Sequence, residues 1–162
     1  MRKTVVTLIG AAAAAMVISG AALAAASTIR TAPAAGGQTI TLKATTVSLT
    51  CIPVPGQKPG PEVPGDQCVF SENLTRNGAP YGHNAIHCVV ATTNDLVCTA
   101  AWMLPDGQIT VAGDAGSTTG TRKLLPVLGG TGAYQDASGQ VTIINTSSST
   151  STVTFHLLPA SH

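Results

Sequence analysis

Glu72 is the residue whose setting points most directly to chemistry. It stands in the middle of Phe70-Ser71-Glu72-Asn73-Leu74. If that run is extended, alternate side chains share a face. Phe70, Glu72 and Leu74 then point one way, and Val69, Ser71 and Asn73 the other. Phe70 and Leu74 are the two largest apolar residues of the run and mark their own face as the interior. Glu72 is therefore expected among apolar neighbours, with Phe70 and Leu74 as candidate ligand contacts. Burial disfavours the charged form of a carboxyl and raises its pKa, and such a group can donate a proton at neutral pH. The competing placement is a rim position, where Glu72 only accepts hydrogen bonds from a loop.

The second chemical resource is the set of four cysteines, and their reading depends on compartment. Arg2 and Lys3 precede an uncharged stretch over residues 5–18, about the length of a signal-peptide core. Ser19 and Gly20 break it, and Ala22-Leu23-Ala24 supplies the small residues that signal peptidase reads. Residues 1–24 are read as a cleaved leader and residues 25–37, rich in Ala and Gly, as a disordered lead-in. No later segment is long and apolar enough to span a bilayer, so an exported, secreted product without a membrane partner is expected. An even number of cysteines in an exported chain points to disulfides. Cys88 and Cys98 flank a turn-like sequence, Ala91-Thr92-Thr93-Asn94-Asp95, between two β-like runs. In a hairpin they can face each other within bonding reach. Cys51 and Cys68 bracket a stiff segment with five prolines, whose ends a disulfide would clamp. The favoured pairing is Cys51–Cys68 with Cys88–Cys98. Long spacings and scattered histidines do not make a zinc pattern, and no metal or cofactor is expected.

The remaining polar and aromatic candidates are sparse. Trp102 shares a strand face with Cys98 and Ala100 and is read either as lining a cavity or as core. Tyr134 either places its hydroxyl in a pocket or packs on a turn. His83, His87 and His156 have no acidic partners at motif spacing and are read as surface or mouth residues. No G-x-S-x-G elbow is present. Gly129, Gly130 and Gly132 lack the lysine and following helix of a phosphate loop. They are read as structural, supplying positive φ or close backbone approach. Two N-glycosylation sequons occur, at Asn73 and Asn145.

The elements that must position these residues follow from a 162-residue chain, enough for one domain. Charged residues make up 9% and aromatics 3%, with a formal charge of +1. A near-neutral chain lacks the basic footprint of a nucleic-acid binder. Strand-like alternation recurs over residues 38–50, 68–74, 84–91, 96–103, 108–112, 123–128, 140–145 and 151–158, with a bulge expected near Thr45-Thr46. Pro105-Asp106-Gly107 is a turn. Pro126 interrupts its run and suggests an edge or a bulge. Seven or eight short strands without a convincing helix imply an antiparallel sandwich or barrel.

Several of these segments line up, in order, with one superfamily. Gly65-Asp66 followed by Phe70 to Leu74 resembles the GD…F-x-x-x-L strand of allene oxide cyclases and is similar to the F-H-D-x-L strand of plant dirigent proteins. Residues 82–90, around Cys88, resemble the cyclase G-x-x-x-G-x-C-V strand. Residues 104–113 resemble the turn and strand that end in V-x-G. Leu128-Gly129-Gly130-Thr131-Gly132-Ala133-Tyr134 with Gly139-Gln140-Val141 is similar to the GG[TS]G-x-[FY] turn of both families, and Thr154-Phe155-His156-Leu157 to their last strand. The resemblance covers about residues 38–158. It implies an all-β, eight-stranded antiparallel barrel with a central apolar cavity, over residues 38–160, and a homotrimer. Glu72 falls where dirigent proteins carry a functional Asp and the cyclases an Asn that helps hold a water. Cys88 matches a cavity-facing cysteine of the cyclases. Ser138 and Ala133 stand where dirigent proteins carry an Arg and an Asp, and residues 38–50 hold no match to the cyclase N-terminal Glu.

Two function classes stay open. One is an isomerase or intramolecular cyclase, or a dirigent-like stereocontrol protein, that fixes the conformation of a small apolar substrate, with Glu72 as the proton-transfer group and Phe70, Leu74, Trp102 and Tyr134 as contacts. The other is a non-catalytic carrier of small hydrophobic molecules.

Overall fold

The computed structural model describes residues 37–159, apart from 58, 59, 93, 94 and 117. The expected leader (1–24), nearly all of the expected lead-in (25–36) and Ala160 lie outside the described residues. Eight strands follow in chain order: β1 (Gln38–Ile52), β2 (Gln67–Arg76), β3 (Ala79–Val90), β4 (Leu96–Leu104), β5 (Gly107–Asp114), β6 (Arg122–Gly130), β7 (Gly139–Asn145) and β8 (Thr150–Leu157). Each pairs antiparallel with its neighbours in sequence, and β1 pairs with β8, so the sheet closes into a barrel. Closure leaves no sheet edge unpaired.

Alternation of side chains fixes which residues face inward. Ile40, Leu42 and Ala44 of β1, Ala100, Trp102 and Leu104 of β4, and Val153, Phe155 and Leu157 of β8 are buried, while the residues between them are wholly or partly exposed. Trp102 and Phe155 meet edge to face, with ring centroids 5.3 Å apart. Such an arrangement suits the ring quadrupoles. The expected bulge in β1 is present: Thr46 pairs with Glu72 and Ser48 with Ser71, so Val47 is the extra residue.

Two prolines stand within strands, and one of them hid strand structure from the alternation pattern. β3 starts at Ala79, five residues before the expected start. The register shifts between Leu74 and Thr75, which pair with Gly82 and Pro80. Tyr81 is thus the extra residue, and Pro80 sits beside a bulge, where a missing N–H is tolerated. Pro126 lies inside its strand, at the edge-like position and beside the bulge that the sequence suggested. β6 runs through it and pairs with β7 at Gln140, while the β5–β6 ladder ends at Val111–Val127, the residue after the proline, so its missing N–H falls where no β5 partner is paired. The irregularity lies two residues further on, at Leu128.

Because consecutive strands alternate direction, the loops gather at two ends. One end carries the β1–β2, β3–β4, β5–β6 and β7–β8 connections. The opposite end carries β2–β3, β4–β5 and β6–β7. The β6–β7 connection holds the Gly-rich turn and a single 3-10 turn, Gly132–Tyr134. Gly129 and Gly132 have φ of 150° and 63°, and a Cβ on Gly130 would run into the carbonyl oxygens of Tyr134 and Gln108. All three glycines are required by backbone geometry.

Candidate functional site

The β1–β2 loop enters the site through its two ends. Cys51 and Cys68 are bonded, as are Cys88 and Cys98, the pairing expected from the sequence. Asp66 anchors the same loop from within. Its carboxylate accepts the backbone N–H of Val54 at 2.8 Å and of Val63 at 2.9 Å, and it is 5% exposed. Its carbonyl accepts from Val90 N–H. A charged acceptor on two backbone donors is the strong kind of hydrogen bond. Sequence reasoning passed over this residue except as part of the Gly65-Asp66 pair. The buried aspartate closing a proline-rich loop was the available signal.

At this loop-rich end a pocket of about 150 Å³ opens into the barrel. Phe70, Ile86, Leu96 and Ala115 and the Cys88–Cys98 bond form its apolar side. Asn145 and the hydroxyl run from Ser147 to Ser151 form the opposite side. Glu72 and Thr46 complete it, and among the described residues Glu72 is the one ionisable side chain in this lining. A second pocket, of about 280 Å³, lies beside the first under the proline-rich loop and shares Phe70, Leu96 and Ser148 with it.

Glu72 is held by a transverse row of side chains. Thr46, Glu72, Asn84 and Trp102 are successive cross-strand partners on β1, β2, β3 and β4. Opposed residues project from the same face. Asn84 Nδ2 donates to Glu72 Oε2 at 2.6 Å, and the Thr46 hydroxyl donates to Oε1 at 3.5 Å. Burial pushes the Glu72 carboxyl above its ordinary range, and the two hydrogen bonds, Asn84 first, pull it partly back. The outcome is a carboxyl that holds its proton more firmly than a solvated one while facing a pocket. Thr46 and Asn84 were not singled out from the sequence. Only the register brings them to Glu72, between β1 and β2 beside the bulge at Val47 for Thr46, and between β2 and β3 for Asn84.

The other candidates divide between the pocket, the core and the far end. Phe70 lines both pockets. Leu74 and Trp102, each 1% exposed, pack in the core and do not line either pocket. Trp102 Nε1 and Asn84 Oδ1 are buried without a hydrogen-bond partner among the described residues. Tyr134 is buried at the opposite end of the barrel, on the 3-10 turn. Its hydroxyl is pushed up mainly by burial and further by Tyr81 and Asp106, against Arg76, which lowers it. Arg76 Nη1 donates to the Tyr81 hydroxyl at 3.1 Å and its guanidinium lies over that ring. Tyr134 thus belongs to a far-end cluster and is not brought together with Glu72. His83, His87 and His156 are exposed. Asn145 donates to the Gly116 carbonyl at 3.3 Å and lines the pocket, whereas Asn73 is exposed. Of the two sequons, the one at Asn73 presents its side chain to solvent.

No family model and no curated protein matches the sequence. Solved structures do. Pyocyanin demethylase superposes with a TM-score of 0.64 at 22% identity, over 74% of this chain and 99% of that one. The pterocarpan synthase dirigent protein PsPTS1 gives a TM-score of 0.60 at 12% identity, over 78% of this chain and 97% of that one. The pterocarpan synthase dirigent protein GePTS1 also gives 0.60 at 12% identity, over 75% and 83%. Closed topology, strand order and these superpositions agree: the chain has the eight-stranded antiparallel barrel fold seen in pyocyanin demethylase and in the pterocarpan synthase dirigent proteins.

Proposed function

We propose that this protein is a secreted barrel that takes a small hydrophobic molecule into the Glu72 pocket and acts on it as an isomerase or intramolecular cyclase. The observation that carries the reading is Glu72 itself. It is a partly buried carboxyl with a raised pKa, fixed by Asn84 at 2.6 Å and facing a pocket with no other ionisable group among the described residues. An acid of this kind donates a proton without a metal or cofactor. The wall of Phe70, Ile86 and Leu96 would hold an apolar body, and the serine and threonine side would orient a polar substituent. Restricting the substrate to one conformer supplies much of the rate in such reactions. Two disulfides fit an oxidising compartment, and the leader-like N-terminus supports export. The outer faces of β2, β3 and β4 leave Val69, Val89 and Val97 exposed, which supports assembly into a homotrimer.

The test is untargeted mass spectrometry of small molecules after incubating the purified protein with extract of the cells that make it. Depletion of one compound with appearance of an isomer of equal mass is the expected outcome, and Glu72→Gln should abolish it. Recovery of the depleted compound unchanged from the protein would overturn catalysis and leave a carrier.

A further inference from the structure

Register places all four cysteines in one row. Cys51 is the cross-strand partner of Cys68, Cys68 of Cys88, and Cys88 of Cys98. Directly opposed residues project from the same face of a sheet, so the four side chains stand side by side along one wall. The two outer pairs are the bonded ones, each with Cα atoms 4.0 Å apart. That closeness marks pairs without mutual backbone hydrogen bonds. Pair type alternates from one side of a strand to the other. Cys68 and Cys88 therefore form the wider, hydrogen-bonded pair, with Cα atoms about 5.5 Å apart. This lies within the span of a disulfide.

Access along the row is unequal. Cys68, Cys88 and Cys98 are buried, whereas Cys51 is partly exposed. Cys51 and Cys68 line the 280 Å³ pocket under the proline-rich loop. Cys88 and Cys98 line the Glu72 pocket. One bond thus faces each pocket, and the unused Cys68–Cys88 pair joins them.

We propose that this row is a thiol–disulfide relay. It takes a small dithiol at Cys51 and delivers a free thiol at Cys98 in the neighbouring pocket. A thiolate of the dithiol attacks the Cys51 sulfur, forming a mixed disulfide there and releasing Cys68 as thiolate. Cys68 attacks the Cys88 sulfur, so that the Cys68–Cys88 bond forms and the Cys88–Cys98 bond breaks. Cys98 leaves as thiolate and takes a proton from solvent. The second thiol of the dithiol then displaces Cys51 from the mixed disulfide. Overall the dithiol is oxidised to its disulfide by two electrons, and the protein keeps one bond and gains two thiols, at Cys51 and Cys98. Attack on a disulfide proceeds through such mixed intermediates. Cys68 and Cys98 flank Cys88 on opposite sides of the row, so the attacking and leaving cysteines stand on opposite sides of it. The exchange frees the Cys51 end of the proline-rich loop, and it replaces a disulfide by a nucleophilic thiol in the pocket wall. It does not depend on Glu72 acting as an acid.

The test uses the intact, fully oxidised protein and dithiothreitol at up to one equivalent. Samples are quenched in acid, free thiols are alkylated, and disulfide-linked peptides are mapped by mass spectrometry. Alkylation of Cys51 and Cys98 should rise together, with a Cys68–Cys88 linked peptide and Cys68 alkylated several-fold less than Cys98. Alkylation of Cys51 and Cys68 with the Cys88–Cys98 peptide intact would overturn the relay. The double variant Cys51→Ser/Cys98→Ser gives an independent check, because it should oxidise to a Cys68–Cys88 bond. A folded variant that keeps two free thiols in air would also overturn it. The partial-reduction experiment needs no substitution and decides the matter if the variant does not fold.

Discussion

Asn84 donates to the Glu72 carboxylate across 2.6 Å from the position directly opposite it on β3. That bond favours the charged form, while burial, the larger influence, favours the neutral one. The folded-state pKa therefore lies above the ordinary value of 4.5. Between those two values the folded chain binds more protons than the unfolded chain. The contribution of Glu72 to stability is thus full below about 4.5, falls as pH rises toward the folded-state value, and is lost above it. Glu72→Gln removes this slope. Denaturant midpoints measured across pH should show the variant gaining on the parent as pH rises through that window. Parallel curves for the two proteins would mean that the carboxyl is effectively solvated.

Removing the donor should move the same pKa further. In Asn84→Ala the carboxyl keeps its burial and loses its closest hydrogen bond, so its pKa should rise above the parent value, read as the carboxyl carbon shift of Glu72 in an NMR titration. Stability should fall by about 1–3 kcal/mol, the usual loss when a buried polar group is left without its partner. A Glu72 pKa that stays put would assign the 2.6 Å contact no electrostatic role.

How much of this was legible depended on whether the information was local. The inward face of β2 was read correctly from Phe70 and Leu74, because alternation is a property of neighbouring residues. The disulfide pairing was read from a turn and a proline-rich loop, both local. The start of β3 was missed, because Pro80 breaks the pattern and only the bulge beside it makes it tolerable. Pro126 was read inside its strand as a mark of an edge or a bulge, and the β5–β6 ladder does end beside it with a bulge at Leu128. The partners of Glu72 are 26 and 12 residues away in sequence. Thr46 meets it through the β1–β2 register beside the extra residue Val47, and Asn84 through the β2–β3 register; alternation does not encode register. Tyr134 was grouped with the site on residue type alone. The alternation of strand direction sends its turn to the other end.

Trp102 separates packing from hydrogen bonding. Its ring is 1% exposed and stacks edge-on to Phe155, while Nε1 has no partner among the described residues. Trp102→Phe keeps an aromatic ring and gives up no protein hydrogen bond, so it should cost about 1–2 kcal/mol, whereas Trp102→Ala should cost about 3–5 kcal/mol. Equilibrium unfolding of the two variants distinguishes these values. A Phe variant as unstable as the Ala variant would show that the indole N–H is engaged.

Asp66 tests whether the proline-rich loop is held by its disulfide alone. The loop is closed by Cys51–Cys68, yet the Asp66 carboxylate also gathers the N–H groups of Val54 and Val63 from inside it. Asp66→Ala leaves two backbone donors without their charged acceptor. The loss should be about 2–3 kcal/mol, in the range of a charged hydrogen bond. Because the disulfide still clamps the ends, the damage should stay local. Hydrogen exchange at Val54 and Val63 should accelerate far more than exchange in β4 and β5. Uniform acceleration across the barrel would instead make Asp66 part of the global fold. Unchanged protection at both valines would leave the disulfide as the sole restraint on the loop.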